Sequence, residues 1–125
     1  MRVTNLGRVE PFTTLDGSEI RELAGIPTTN AENQSLAEAT VAPGAATDEH
    51  FHRRSEEIYF FTRGRGRLRV DAEEREVEPG DAVVIAPGAC HKIWNTGDEP
   101  LKLLCCCAPA YSDADTVITE LRDVP

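Results

Sequence analysis

Gly44-Ala-Ala-Thr-Asp-Glu-His-Phe-His-Arg-Arg-Ser-Glu-Glu-Ile-Tyr-Phe-Phe-Thr-Arg-Gly64 is the stretch on which the fold of this 125-residue chain turns. His50 and His52 stand two apart, so on a β-strand both imidazoles leave the same face of the sheet. A carboxylate follows within a few residues, at Glu56 or Glu57, and leads into the strand-forming run Ile58-Tyr59-Phe60-Phe61. The third and last histidine, His91, follows a second Pro-Gly turn at Pro87-Gly88. If its strand lies against the first, three imidazoles and one carboxylate meet at a point. One histidine alone says little, since most are satisfied core or surface residues; two independent patterns that converge say more.

The spacing of these residues resembles the two sequence motifs of the cupins. The first motif runs from a glycine through His-x-His and a glutamate to a second glycine, and Gly44, His50, His52, Glu57 and Gly64 occupy its positions. The second is met by Gly80, Gly88, His91 and Asn95, with the proline at Pro87, one place later than the pattern asks, and Ala86 in its slot. The resemblance implies an all-β double-stranded β-helix, or jelly-roll barrel. It also implies a divalent metal held by His50, His52, Glu57 and His91. It selects Glu57 over Glu56, and strand parity agrees, because Glu57 shares a face with Tyr59 and Phe61. Asn95 is, by its place in the motif, a candidate to orient the imidazoles, with bridging backbone at the end of its strand as the equal alternative.

Nitrogen and carboxylate donors in this ratio suit Fe, Mn, Ni, Co, Cu or Zn without choosing among them. One negative ligand leaves a net positive charge on the ion, enough to polarise a bound oxygen. The pocket is expected to be apolar and aromatic, lined by Tyr59, Phe61, Leu68, Ile93 and Leu103, with Asn95 at its edge and Cys105 or Cys107 within reach. Tyr59 is the candidate catalytic proton donor. The resulting expectation is a small-molecule enzyme of dioxygenase-like type. The alternatives are a metal-dependent sugar isomerase, epimerase or cyclase, and a non-catalytic binding or sensing module, because a fold of this kind hosts many activities.

Composition narrows the partners. A net charge of −9 argues against nucleic acid and anionic lipid, both of which need clustered Lys and Arg. No apolar run is long enough to span a membrane and no signal-peptide core opens the chain, so a cytoplasmic setting is expected. Cys105, Cys106 and Cys107 are consecutive and lack both zinc-ribbon and disulfide spacing; with Cys90 they read as reduced thiols.

Along the chain, residues 1–32 read as an arm carrying no site, with a hairpin from Phe12 to Leu23 turning at Asp16-Gly17, and packing on this barrel or a partner's. The barrel is expected over 33–110. In Gln34 to Val41 the small residues Ser35, Ala37, Ala39 and Val41 share one face, and the opposite, polar face is read as meeting solvent rather than a cavity. Arg65, Arg67 and Arg69 form an outward row answered by Glu74, Glu76 and Glu78. Ala82 to Ile85 reads as a buried strand. On the strand carrying the cysteines, Lys102 marks the outer face, so Leu101, Leu103, Cys105 and Cys107 point inward. The tail 111–125 begins with a cap at Ser112 or Asp113 and continues as a short helix or a strand. Ile58, Phe60 and Trp94 face away from the site and need cover, which predicts a homodimer.

Overall fold

A computed structural model describes residues 1–121. Eleven strands make up its regular structure: β1 (Phe12–Thr13), β2 (Glu19–Ala24), β3 (Ser35–Val41), β4 (His50–His52), β5 (Glu56–Arg63), β6 (Gly66–Val70), β7 (Glu73–Val77), β8 (Ala82–Ile85), β9 (His91–Asn95), β10 (Leu101–Ala108) and β11 (Thr116–Ile118). They form two sheets, one of six strands in the order β1-β2-β3-β10-β5-β8 and one of five in the order β11-β4-β9-β6-β7. Every pairing between strands is antiparallel.

The core between the sheets is built from alternating inward side chains. Phe61, Ile85, Ile93, Leu101 and Leu103 are all but inaccessible, and each such side chain contributes about 1.5–3 kcal/mol on leaving water. Inward parity on β10 follows Lys102 as expected: Leu101, Leu103 and Cys107 are buried, and Cys105 packs against the core. On β3 the small residues face inward, leaving room beside the core, while Glu38 on the outer face is covered by the Lys102 side chain, Nζ to Oε1 3.5 Å.

Tight turns carry the chain between sheets. In Ala86-Pro87-Gly88-Ala89 the Ala89 N–H donates to the Ala86 carbonyl, 3.1 Å, and Gly88 has φ +82°. Proline second and a positive-φ glycine third is the pattern of a type II turn, so the shifted proline suits this bend. Gly64 has φ +79°, and a Cβ there would lie 2.7 Å from the Pro100 carbonyl oxygen, so both conformation and space demand glycine.

Several expectations are corrected. β8 is an edge strand, not a buried one: Val84 is 62% exposed and only Ile85 is buried, because none of the described residues covers the outer face there. The hairpin β1–β2 does form, but its loop spans Thr14 to Ser18 and is wider than a two-residue Asp-Gly turn. The Asp16 Oδ1 atom accepts from both the N–H and the hydroxyl of Ser18, which holds the wider loop open. The hairpin joins this chain's own sheet through β2 and β3. Trp94 is partly covered from within the chain, with Arg67, Arg69 and Lys92 at 4.8, 5.3 and 5.4 Å from its ring centre.

The arginine row meets acidic partners: Arg65 pairs with Glu78, Arg67 with Glu74, and Arg69 with Glu49 and Glu74. The tail contains both suggested forms. Ser112 caps a single 3-10 turn, Asp113–Asp115, and β11 follows; the part of the tail beyond Leu121 lies outside the described residues.

Candidate metal centre

β4 carries His50 and His52 inward, β9 carries His91, and β5 carries Glu57 from the other sheet. His50 and His91 are cross-strand partners in register. All four side chains are buried, and one donor atom from each lies within 4.8 Å of the others.

The hydrogen bonds on the far side of each ring decide which nitrogen is bare. His50 Nδ1 is 2.8 Å from the Asp48 carbonyl oxygen and His91 Nδ1 is 2.9 Å from that of Ala89. A carbonyl only accepts, so both Nδ1 atoms carry the hydrogen. His52 Nδ1 is 3.0 Å from the Thr116 hydroxyl, which already donates to the Ser112 carbonyl and therefore accepts from the ring. All three Nε2 atoms are thus left as lone pairs.

Two of these lone pairs face Glu57 Oε1, at 3.2 Å from His52 and 3.3 Å from His91. Neutral rings in these tautomers have no hydrogen to place in either gap. The His91 contact is also poorly angled for a hydrogen bond, and its Nε2 is a buried polar atom without a partner among the described residues. Acceptors turned on one another around a common point are what a cation relieves, and the four residues could hold a metal ion.

The surroundings keep these groups in the forms that ligation requires. Burial, helped by nearby His91, lowers the His50 pKa and favours the neutral ring. For Glu57, burial raises the pKa, and positive charge from His52 and His91 would lower it only if their Nε2 atoms carried protons; with those nitrogens bare, a cation seated among the same donors would take that part and keep the carboxylate ionised. The other oxygen, Oε2, accepts from the Cys107 thiol at 3.2 Å. Burial, then the Glu57 charge, pushes that thiol far above its ordinary range, so it stays a donor.

A cavity opens beside His50, His52 and Glu57, walled by Ala37, Ala39, Val41, Ile93 and Leu103. Of the sequence candidates, Tyr59, Ile93, Leu103 and Cys105 line it. Tyr59 stands edge-on to His91, ring centres 5.8 Å apart, and burial raises its hydroxyl pKa well above the ordinary value. Phe61 and Leu68 lie in the core and are not part of the cavity wall. Asn95 does not reach the imidazoles; its amide donates to the carbonyls of Val41 and Glu99, tying β9 to two chain reversals.

Sequence reasoning assigned no site to residues 1–32, yet Phe12, Thr14, Asp16, Ser18, Ile20 and Glu22 all line the cavity. Asp16 Oδ2 lies 3.7 Å from His50 Nε2. Tyr111 was missed as well; it meets His52 edge-on at 5.8 Å and bonds to the Thr14 hydroxyl at 3.1 Å, and its own hydroxyl pKa is pushed up to about 12, chiefly by burial. The hairpin offered one signal, a polar Asp-Gly turn close to a strand edge, but no spacing rule ties such a turn to a site.

Two packed antiparallel sheets with an inward His-His-Glu-His group that could hold a metal ion define a barrel protein of the double-stranded β-helix class. The Cupin domain family matches residues 37–107, and the chain belongs to that family. It is 47% identical over 117 residues to the uncharacterized protein MJ1618 of Methanocaldococcus jannaschii, covering 94% of each. It is 28% identical to the tetracenomycin polyketide synthase protein TcmJ of Streptomyces glaucescens, over 87% of this chain and 73% of that one. Among solved structures, a cupin 2 conserved barrel domain protein from Salinispora arenicola superposes with TM-score 0.71 at 28% identity, covering 91% of both chains. Among the described residues no helix is long and apolar enough to cross a membrane.

Proposed function

We propose that this protein is a metal-dependent enzyme of dioxygenase-like type, acting on a small molecule bound in the cavity beside His50, His52, Glu57 and His91. The observation that carries the reading is the convergence of three imidazole nitrogens and one carboxylate oxygen beside an apolar cavity. A divalent ion held there would supply Lewis acidity, positions for exchangeable ligands and, if redox-active, a site for dioxygen chemistry.

The chain's own residues supply the rest. Ala37, Ala39 and Leu103 exclude water from the substrate's apolar body. Tyr59, which keeps its proton, is positioned to donate a hydrogen bond from the cavity wall. Cys107 holds Glu57 from behind through Oε2 and would leave Oε1 available to an ion. The four thiols, all free, support a reducing, cytoplasmic setting.

A second reading, ring closure or isomerisation at the same centre without oxygen, is supported by 35% identity over 65 residues, 46% of this chain, to the glucose-6-phosphate isomerase of Pyrococcus horikoshii. Its sugar-phosphate form is the less favoured, because among the described residues no lysine or arginine lines the cavity. Anaerobic loading with Fe(II), followed by oxygen electrode measurements with phenols and enediols, separates the readings. Substrate-dependent oxygen uptake is expected. Turnover of a ligand with no oxygen consumed overturns the dioxygenase-like assignment in favour of the second reading.

A further inference from the structure

The Asp16 carboxylate occupies a place that the four-ligand centre does not explain. It sits at the tip of the β1–β2 hairpin, and its position is fixed three times over. Oδ1 accepts from the Ser18 N–H at 2.9 Å and the Ser18 hydroxyl at 2.7 Å. The Asp16 carbonyl accepts from the Asp48 N–H at 2.7 Å, fastening the loop to the approach to β4. On the other side Thr14 bonds to Tyr111. A side chain held this firmly is aimed rather than merely exposed.

What it aims at is the open side of the centre. Oδ2 stands 3.7 Å from His50 Nε2, which is a bare lone pair because Nδ1 carries the hydrogen. No hydrogen of either group fills that gap, and the distance is too long for a hydrogen bond in any case. Asp16 also stands outside the set of four whose donor atoms lie within 4.8 Å of one another. It is therefore placed to act on whatever the ion binds, not to be a fifth ligand.

The rest of the wall sharpens the reading. Glu22 adds a second carboxylate toward the hairpin side, and among the described residues no lysine or arginine offsets either one. Three neutral imidazoles, Glu57 and Asp16 together balance a divalent ion, so an anion entering the cavity finds no net positive charge. A neutral ligand with a hydroxyl finds an acceptor for its proton and apolar walls for its body.

We propose that Asp16 is the specificity-determining residue of this cavity: it receives the hydroxyl of a neutral, largely apolar ligand, a phenol or enol, and turns away carboxylates and phosphates. The inference rests on the metal centre being real, and the experiment separates the two. Wild type and Asp16→Asn are loaded with Co(II), and the visible cobalt bands are followed during titration with azide, phenol and anisole. Asparagine keeps the Oδ1 acceptor for Ser18, so the loop should survive; matched thermal unfolding of the two proteins checks this.

Azide is expected to bind at least about tenfold more tightly to the variant, since a like charge a few ångströms away has been removed. Phenol should bind about fivefold more weakly, through loss of a hydrogen bond to a charged acceptor. Anisole, which has no hydroxyl to give, should bind both proteins alike. Cobalt loading at one per chain with azide and phenol unaffected by the substitution overturns the role of Asp16 and leaves the centre intact. Failure of the wild type to take up cobalt at all overturns both.

Discussion

Each imidazole of the centre is aimed by a bond on its far side, and that bond is as much a part of the site as the ring. His50 and His91 lean on backbone carbonyls, His52 leans on Thr116, and Glu57 leans on Cys107. His50→Ala should abolish stoichiometric metal uptake while the far-ultraviolet spectrum stays that of a folded β protein, because the ring is one donor of four and the barrel core lies elsewhere. Cys107→Ala should weaken metal binding by about 10–100-fold without abolishing it, as removal of an orienting partner does; competition with a chromogenic chelator measures this. Metal affinity should also fall as pH drops below about 6.5, where free imidazoles take up protons that compete with the ion. Burial favours the neutral form of His50, so for that ring the competition begins at lower pH than for a free imidazole.

At the scale of elements, the short link between β4 and β5 is held by the tail. The Asp115 carboxylate accepts from the N–H groups of Arg54 and Ser55 at 2.9 and 3.0 Å, and β11 then pairs with β4. Burial alone would raise the Asp115 pKa; the Ser55 and Arg54 bonds outweigh it and lower the carboxyl below its ordinary range. A carboxyl with a depressed folded-state pKa stabilises fully above its unfolded value, near 4, and that contribution is lost as pH falls through the folded value. Asp115→Asn should therefore cost about 1 kcal/mol at pH 7 and progressively less toward pH 3, in urea denaturation at each pH.

The same scale shows what could be read from residue order. His50, His52, Glu57 and His91 were legible because strand parity and motif spacing both depend on local geometry. The inward set on β10 was legible for the same reason, with Lys102 as marker. Asp16 was not, because its direction is set by contacts to Ser18 and Asp48 within a loop, where no period operates. Nor was the exposure of Val84: an apolar strand looks the same whether its sheet continues past it or stops. Asn95 admitted two readings, and its amide takes the one that bridges backbone, serving two carbonyls.

For the whole molecule, the two outer sheet faces differ. The five-stranded sheet covers Trp94 with its own cations, whereas the six-stranded sheet leaves Ile58, Phe60 and Val84 at 38, 42 and 62% exposure. Ile58 and Val84 are direct cross-strand partners, and Cys106 and Leu104 adjoin Ile58 and Phe60 on β10, so the apolar side chains form one patch. We propose that a second copy of this chain covers it in a homodimer. Sedimentation velocity at micromolar concentration should show a dimer, and Phe60→Glu should shift it to monomer with the metal site intact; a wild-type monomer under those conditions rules the arrangement out.

Two of the three imidazoles take their aim from main-chain oxygens, at Asp48 and Ala89. The angle at which those rings would approach an ion is therefore written in the path of the chain and not in the identity of a neighbouring side chain. Replacing Ala89 by serine should leave the binding stoichiometry untouched. A centre supported in this way can change its wall, and with it the molecules it accepts, without having to rebuild its grip on the ion.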